Sequence, residues 1–138
     1  MIFDHIGVFV RNLDDGQRHL GALLPITAWS AITDDPLINV RVQFGTDASG
    51  LRYELVAPLG PGSPVDTALA TGDNLLNHVA YRTADLDAEV TRLRRARCIP
   101  TGPARPAVAF GGRRVIFLLT PLRFIIELVE EPVTPAPT

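Results

Sequence analysis

The segments FDHIGVFV and LNHVAYRT each place a histidine, His5 or His78, at the third position of a strand-like apolar run, and they align without a gap at an offset of 73 residues. The same offset pairs Leu13 with Leu86, Asp14 with Asp87, Val42 with Val115, Phe44 with Phe117, Glu54 with Glu127 and Leu55 with Leu128. An ungapped internal repeat of this kind means two copies of one supersecondary unit, neither able to bury its apolar face alone. That requirement constrains the chain more than any local propensity does.

Within each copy the hydrophobic period assigns a strand, a helix and then three strands. The first strand runs from Ile2 to Val10. RNLDDGQRHLGALLP reads as a helix capped by Asn12, with acidic residues in its first turn and Pro25 to stop it. AWSAI, INVRVQF and LRYELVAP follow as strands. The second copy starts with LLNHVAYRT, continues as a helix capped by Asp85 with Leu86, Val90 and Leu93 at helical spacing, and holds one short strand in IPTGPARPAVAF. RRVIFLL and RFIIELVEE complete it. Repeat one therefore covers about 2–58 and repeat two about 74–131, joined by a Gly/Pro/Ser-rich connector over 59–73. The tail 132–138, PVTPAPT, has nothing to pack with and is expected to fray.

With 138 residues, 46% of them apolar and 20% charged, the chain suits a single packed domain. A net charge of −2 excludes nucleic-acid binding through a basic surface. No apolar run reaches the ~20 residues that span a bilayer. MIFDHIG lacks the features of a secretory signal, so a cytoplasmic location is expected. Cys98 stands alone and is expected to be a small buried hydrophobe.

Four polar residues interrupt the apolar strands. His5 precedes Glu54 by 49 residues, and His78 precedes Glu127 by the same 49. A single histidine or glutamate in a strand is ordinarily a satisfied core residue or a solvent-facing one. Two of each at matching positions of two repeats fit one site built where the copies meet. A carboxylate facing a core is costly unless a counter-charge or metal compensates it. Two imidazoles and two carboxylates suit a divalent ion of intermediate hardness, Co, Ni, Mn, Fe or Zn, with positions left open for water or substrate.

The repeat and its His…Glu…His…Glu order resemble the vicinal oxygen chelate superfamily, which includes glyoxalase I, methylmalonyl-CoA epimerase, extradiol dioxygenases and bleomycin-resistance proteins. DHIGVFVRNLDD and LNHVAYRTADLDA resemble the two histidine motifs of the epimerases, YELVAPLGPGSPV their middle ligand strand, and FIIELVEEP their last one. The resemblance implies an α+β glyoxalase-like fold: two βαβββ repeats forming a cupped, eight-stranded mixed sheet around a metal, in a single domain over 1–138. His5, Glu54, His78 and Glu127 would be the ligands. Glu54 departs from the glutamine common in epimerases and is more like bacterial glyoxalase I. DDPLINV replaces the epimerases' acidic-Gln-Gly-Val motif, so Asp34 or Asp35 would stand in for their acid–base glutamate, or serve only as a loop cap.

The implied reaction is proton abstraction next to a substrate carbonyl, through a metal-stabilised enolate, by an isomerase/epimerase or a glyoxalase-type lyase. Glu127 is the first candidate for the base and Glu54 the second. The substrate would be a small carbonyl compound carrying a carboxylate or thioester. Arg113 and Arg114 are candidates for holding an anionic group, and Tyr81 and Phe110 for lining the pocket. The resemblance is compatible with a homodimer, with the site within one chain or shared between two. Two other functions compete: a binding protein that sequesters an antibiotic, which the full ligand set disfavours, and an iron-dependent extradiol-type dioxygenase, in which Glu54 would occupy a position needed for substrate.

Overall fold

The computed structural model describes residues 1–132. They form a mixed α+β structure of ten strands and three α-helices. Two compact units divide the chain, one made of His5–Val79 and the other of Met1–Asp4 with the chain from Ala80 onward. The first strand, β1 (Ile2–Phe9), and the sixth, β6 (Leu76–Thr83), each run across that division.

In the His5–Val79 unit, β1 leads to α1 (Leu13–Leu23), β2 (Ile26–Trp29), β3 (Thr33–Asp35), β4 (Val40–Asp47), β5 (Arg52–Pro58) and α2 (Asp66–Thr71). Asn12 caps α1 as expected, its Oδ1 accepting the Asp15 N–H at 2.8 Å. The strand order is β2-β4-β5-β1, with β3 also on β4. β4 and β5 form an antiparallel hairpin that sets Phe44 opposite Glu54, while β1 lies parallel to β5 with Gly7 opposite Glu54. The hairpin turn is tied by Asp47, whose carboxylate accepts the N–H groups of Ser49 and Leu51, with Gly50 at φ 88°. The connector is anchored at its start by Asn39, itself at φ 63°, which bonds the backbone of Gly60 and Pro61. Strand alternation sends Leu55 and Ala57 under α1 against Leu13 and Trp29, leaving Glu54 on the other face.

In the second unit, β6 is followed by α3 (Leu86–Arg95), β7 (Ile99–Pro100), β8 (Arg105–Pro106), a short 3₁₀ turn (Val108–Phe110), β9 (Arg114–Leu119) and β10 (Ile125–Glu130). Asp85 caps α3 by accepting the Ala88 N–H at 3.0 Å. The strand order is β6-β10-β9-β7, with β8 on β9. Leu86, Leu93, Cys98, Ile116, Leu118 and Leu128 make the core beneath α3, which places Cys98 among apolar side chains as expected.

The repeat register holds in detail. Leu13 packs with Leu55, and their mates Leu86 and Leu128 pack together in the same way. Phe44 faces Glu54 across the first hairpin, and Phe117 faces Glu127 across the second. The expected eight strands become ten because each repeat carries one more short strand. In place of the single strand expected at AWSAI stand β2, which ends at Trp29, and β3, which starts at Thr33, and the Pro-rich passage holds both β7 and β8, in which prolines hold each pairing to two residues. α2 arises inside the segment read as an irregular connector, closed by Gly72 at φ 73°. The expected frayed tail lies outside the described residues beyond Pro132. Among the described residues no helix is long and apolar enough to cross a membrane.

Candidate metal centre

Three of the four polar strand residues meet inside the His5–Val79 unit. His5 on β1, Glu54 on β5 and His78 on β6 are 0%, 6% and 3% exposed. Their donor atoms form a tight triangle. His5 Nε2 lies 3.5 Å from Glu54 Oε1, His78 Nε2 lies 3.4 Å from the same oxygen, and the two Nε2 atoms are 3.3 Å apart. Three donors bound at ~2.1 Å to one ion with tetrahedral angles stand about 3.4 Å from one another. The spacing and the two-imidazole, one-carboxylate chemistry both fit a divalent cation, so these residues could hold a metal.

The electrostatics of the triangle favour an ionised carboxylate. Burial by itself pushes the Glu54 carboxyl up, but hydrogen bonding and charge from His5 and His78 outweigh it and hold the group down to about 2. A carboxyl so acidic is a poor proton acceptor and a good ligand.

Two residues that sequence reasoning did not single out prepare His78. Asn77 Oδ1 lies 3.0 Å from His78 Nδ1. With an ion bound, the tautomer whose Nδ1–H donates to that oxygen would leave the Nε2 lone pair for the ion. A signal was present, because Asp4 precedes His5 just as Asn77 precedes His78. Gly7 is the second. A Cβ built there would fall 2.0 Å from His78 Cε1 and 2.1 Å from Nε2, so the imidazole lies directly over the glycine. Edge-on aromatic contacts complete the surroundings, Phe44 to His5 at 5.3 Å and Phe9 to His78 at 6.4 Å between ring centres.

The remaining candidates are placed as follows. Glu127 is buried in the middle of β10, opposite Phe117. Arg114 pairs with Glu130 through two hydrogen bonds of 2.6 and 2.9 Å and approaches Asp87 at 3.6 Å, an engagement with its own sheet neighbour and α3. Arg113 donates to the Phe110 carbonyl at 2.9 Å. Tyr81 packs on the core beneath α3 and meets Phe3 edge to face, and Phe110 is buried in the 3₁₀ turn. Asp34 is held by Arg41 at 2.6 Å, a hydrogen bond that lowers its carboxyl below the usual value, and buried Asp35 accepts the Ile38 N–H as a turn cap.

Comparison with known proteins bears on the family and the fold. No curated protein matches by sequence. Among solved structures, methylmalonyl-CoA epimerase from Mycobacterium tuberculosis is 27% identical, with a TM-score of 0.71 over 98% of this chain and 88% of that one. A variant of the Streptomyces coelicolor methylmalonyl-CoA epimerase in complex with 2-nitronate-propionyl-CoA is 23% identical, with a TM-score of 0.75 over 99% of both chains. A hypothetical protein from Bacillus halodurans is 20% identical, with a TM-score of 0.76 over 98% of this chain and 97% of that one. The fold is thus the glyoxalase-like one. The family model of the Glyoxalase/Bleomycin resistance protein/Dioxygenase superfamily matches residues 4–117, and the chain belongs to that superfamily.

Proposed function

We propose that this chain is a divalent-metal-dependent enzyme that moves a proton on the carbon next to a substrate carbonyl, an isomerase or epimerase most like methylmalonyl-CoA epimerase. The observation that carries the reading is the buried triangle of His5, Glu54 and His78, with donor atoms 3.3–3.5 Å apart. Glu127 supplies the fourth donor in this proposal, because the repeat register makes it the counterpart of Glu54 and the resemblance makes FIIELVEEP a ligand strand. A divalent ion held there would act as a Lewis acid toward the carbonyl, making the adjacent C–H acidic.

The chain's own groups do the rest. Asn77 fixes the His78 ring, and Gly7 leaves room for it. Glu54, in the middle of the triangle, serves as a ligand in this proposal. Glu127 takes the proton on a carboxylate oxygen in this proposal, and inversion requires that a proton be delivered to the opposite face of the same carbon. The substrate class is a small acyl thioester or carboxylate. In support, relatives are seen with 2-nitronate-propionyl-CoA and with methylmalonyl-CoA.

The test is exchange. Protein loaded with Co²⁺ is incubated in D₂O with methylmalonyl-CoA, and the α-proton is followed by NMR. Exchange that requires metal and is lost in His78→Ala supports the reading. No exchange by fully loaded protein, with this thioester or with the glutathione–methylglyoxal hemithioacetal, refutes it.

A further inference from the structure

Between Glu89 and Glu127 the chain carries eight of its 13 basic residues, all arginine, and no aspartate or glutamate. Arg92, Arg113 and Arg114 are engaged within the fold, by Glu89, by the Phe110 carbonyl and by Glu130. Arg94, Arg95, Arg97 and Arg123 are exposed and form no ion pair among the described residues. The net charge of −2 conceals this local excess.

The strand register gathers these four at one end of the second unit's sheet. Ile99 on β7 and Ile125 on β10 both pair with Leu119 on β9, one residue before the β9–β10 turn. β7 and β9 are antiparallel, so the chain entering β7 from α3 arrives beside that turn. The Arg97 N–H donates to the Arg94 carbonyl at 3.0 Å on the way, which keeps the last turn of α3 at the same end. Apolar side chains are exposed there too, Leu122 at 80%, Ile99 at 65% and Phe124 at 38%.

Two of the arginines stand where glycine costs least. Arg97, just past the end of α3, has φ 68°, and Arg123, in the turn, has φ 73°. The repeat supplies the comparison, since Arg123 is the counterpart of Gly50, at φ 88°. Both turns close with the same bonds. Asp47 N–H donates to the Leu51 carbonyl and Gly50 N–H to Asp47, just as Thr120 N–H donates to Phe124 and Arg123 N–H to Thr120. The counterparts of Arg94, Arg95 and Arg97 are Gly21, Ala22 and Leu24, so the helix end does not need arginine either. Left-handed arginines on a surface, with no partner in the fold, are backbone strain retained for something outside it.

We propose that this end of the sheet docks on an anionic lipid surface. The arginines take headgroup phosphates through their forked N–H groups, and Leu122, at the tip of the turn, enters the apolar layer beneath, flanked by Phe124 and Ile99. Fixed negative charge lying over apolar depth complements both halves of the patch.

The test is flotation of the full chain with vesicles of phosphatidylcholine, alone or mixed with phosphatidylglycerol, at low salt. The wild type is expected to partition at least about tenfold better onto the anionic vesicles, with the excess lost at high salt. The double variant Arg97→Gly/Arg123→Gly removes two charges and relieves two strained positions. It is expected to stay folded, by its thermal melting, while partitioning falls about tenfold or more. Leu122→Asp is expected to weaken binding as well. Arg105→Gln removes one charge from the other end of β9, where Arg105 pairs with Val115, and is expected to bind as the wild type does. Equal partitioning onto the two vesicles overturns the proposal, and so does a double variant that binds like the wild type. A loss in Arg105→Gln as large as in the double variant overturns it too, since overall charge would then account for the binding. If the occupant is instead an acidic protein, the wild type floats with neither vesicle, and the lipid assignment falls.

Discussion

Gly7→Ala adds one methyl group and should disable the metal centre from beneath. The new carbon would lie 2.0 Å from His78 Cε1, whereas ordinary contact starts at 3.4 Å, so the ring must retreat by about 1.4 Å. Metal–ligand bonds hold within about 0.2 Å of their ideal length, so a retreat of that size removes His78 from the ligand set. Co²⁺ affinity should fall by ~100-fold or more, at or beyond the upper end of what outer-sphere changes cost. Overpacking should also cost about 1–3 kcal/mol of stability, lowering the melting temperature of the metal-free protein by roughly 3–12 °C. The assay is Co²⁺ titration followed by visible absorption, with Gly102→Ala as control, since a Cβ there meets nothing within 4 Å. The two losses share one cause, so Gly7→Ala placed on top of His78→Ala should weaken metal binding no further. A Gly7→Ala protein that binds Co²⁺ like the wild type would refute the placement of His78 over the glycine.

Three further outcomes are expected. Glu127→Gln should slow α-proton exchange by ~10²-fold or more while metal affinity falls less, and equal losses would show a ligand with no part in proton transfer. Asn77→Ala should lower Co²⁺ affinity about 10–100-fold with little change in the melting of the metal-free protein; unchanged affinity would remove Asn77 from the positioning of His78. In metal-free protein, Glu54 ionises near 2 when folded against an ordinary 4.5, so the unfolded chain binds the proton first as pH falls. Its stabilising effect is complete above 4.5 and is lost on acidification toward 2, and urea midpoints over that window should fall more steeply for the wild type than for Glu54→Gln. Equal slopes would show that the two imidazoles do not hold the carboxyl down.

What was legible in the sequence was whatever carries its own penalty. A buried imidazole or carboxylate stands out in an apolar strand, and a pair of helix caps, Asn12 and Asp85, announces itself one residue before each helix. These residues sat at matching positions of a repeat, so the fold and three members of the centre could be read without coordinates. Features that depend on what lies across a gap were not legible. Gly7 reads as any strand glycine until the His78 ring is found above it, and Asn77 as any polar neighbour until its oxygen is found at Nδ1. α2 is six residues long, too short for a helical period to register, although Gly72 marked its end. Arg113 and Arg114 drew notice as a pair, yet Arg114 is engaged by Glu130.

The three donors that meet within 3.5 Å come from chain positions 49 and 24 residues apart. Bringing them together means closing two long loops and seating β1 against β5, a parallel pairing that local contacts cannot nucleate. The triangle is therefore expected to form late in folding. An ion bound there would favour the native state over both the unfolded chain and the transition state, so it is expected to slow escape from the native state and do little to hasten arrival. For this protein, a bound metal would be a lock on a door that has already closed.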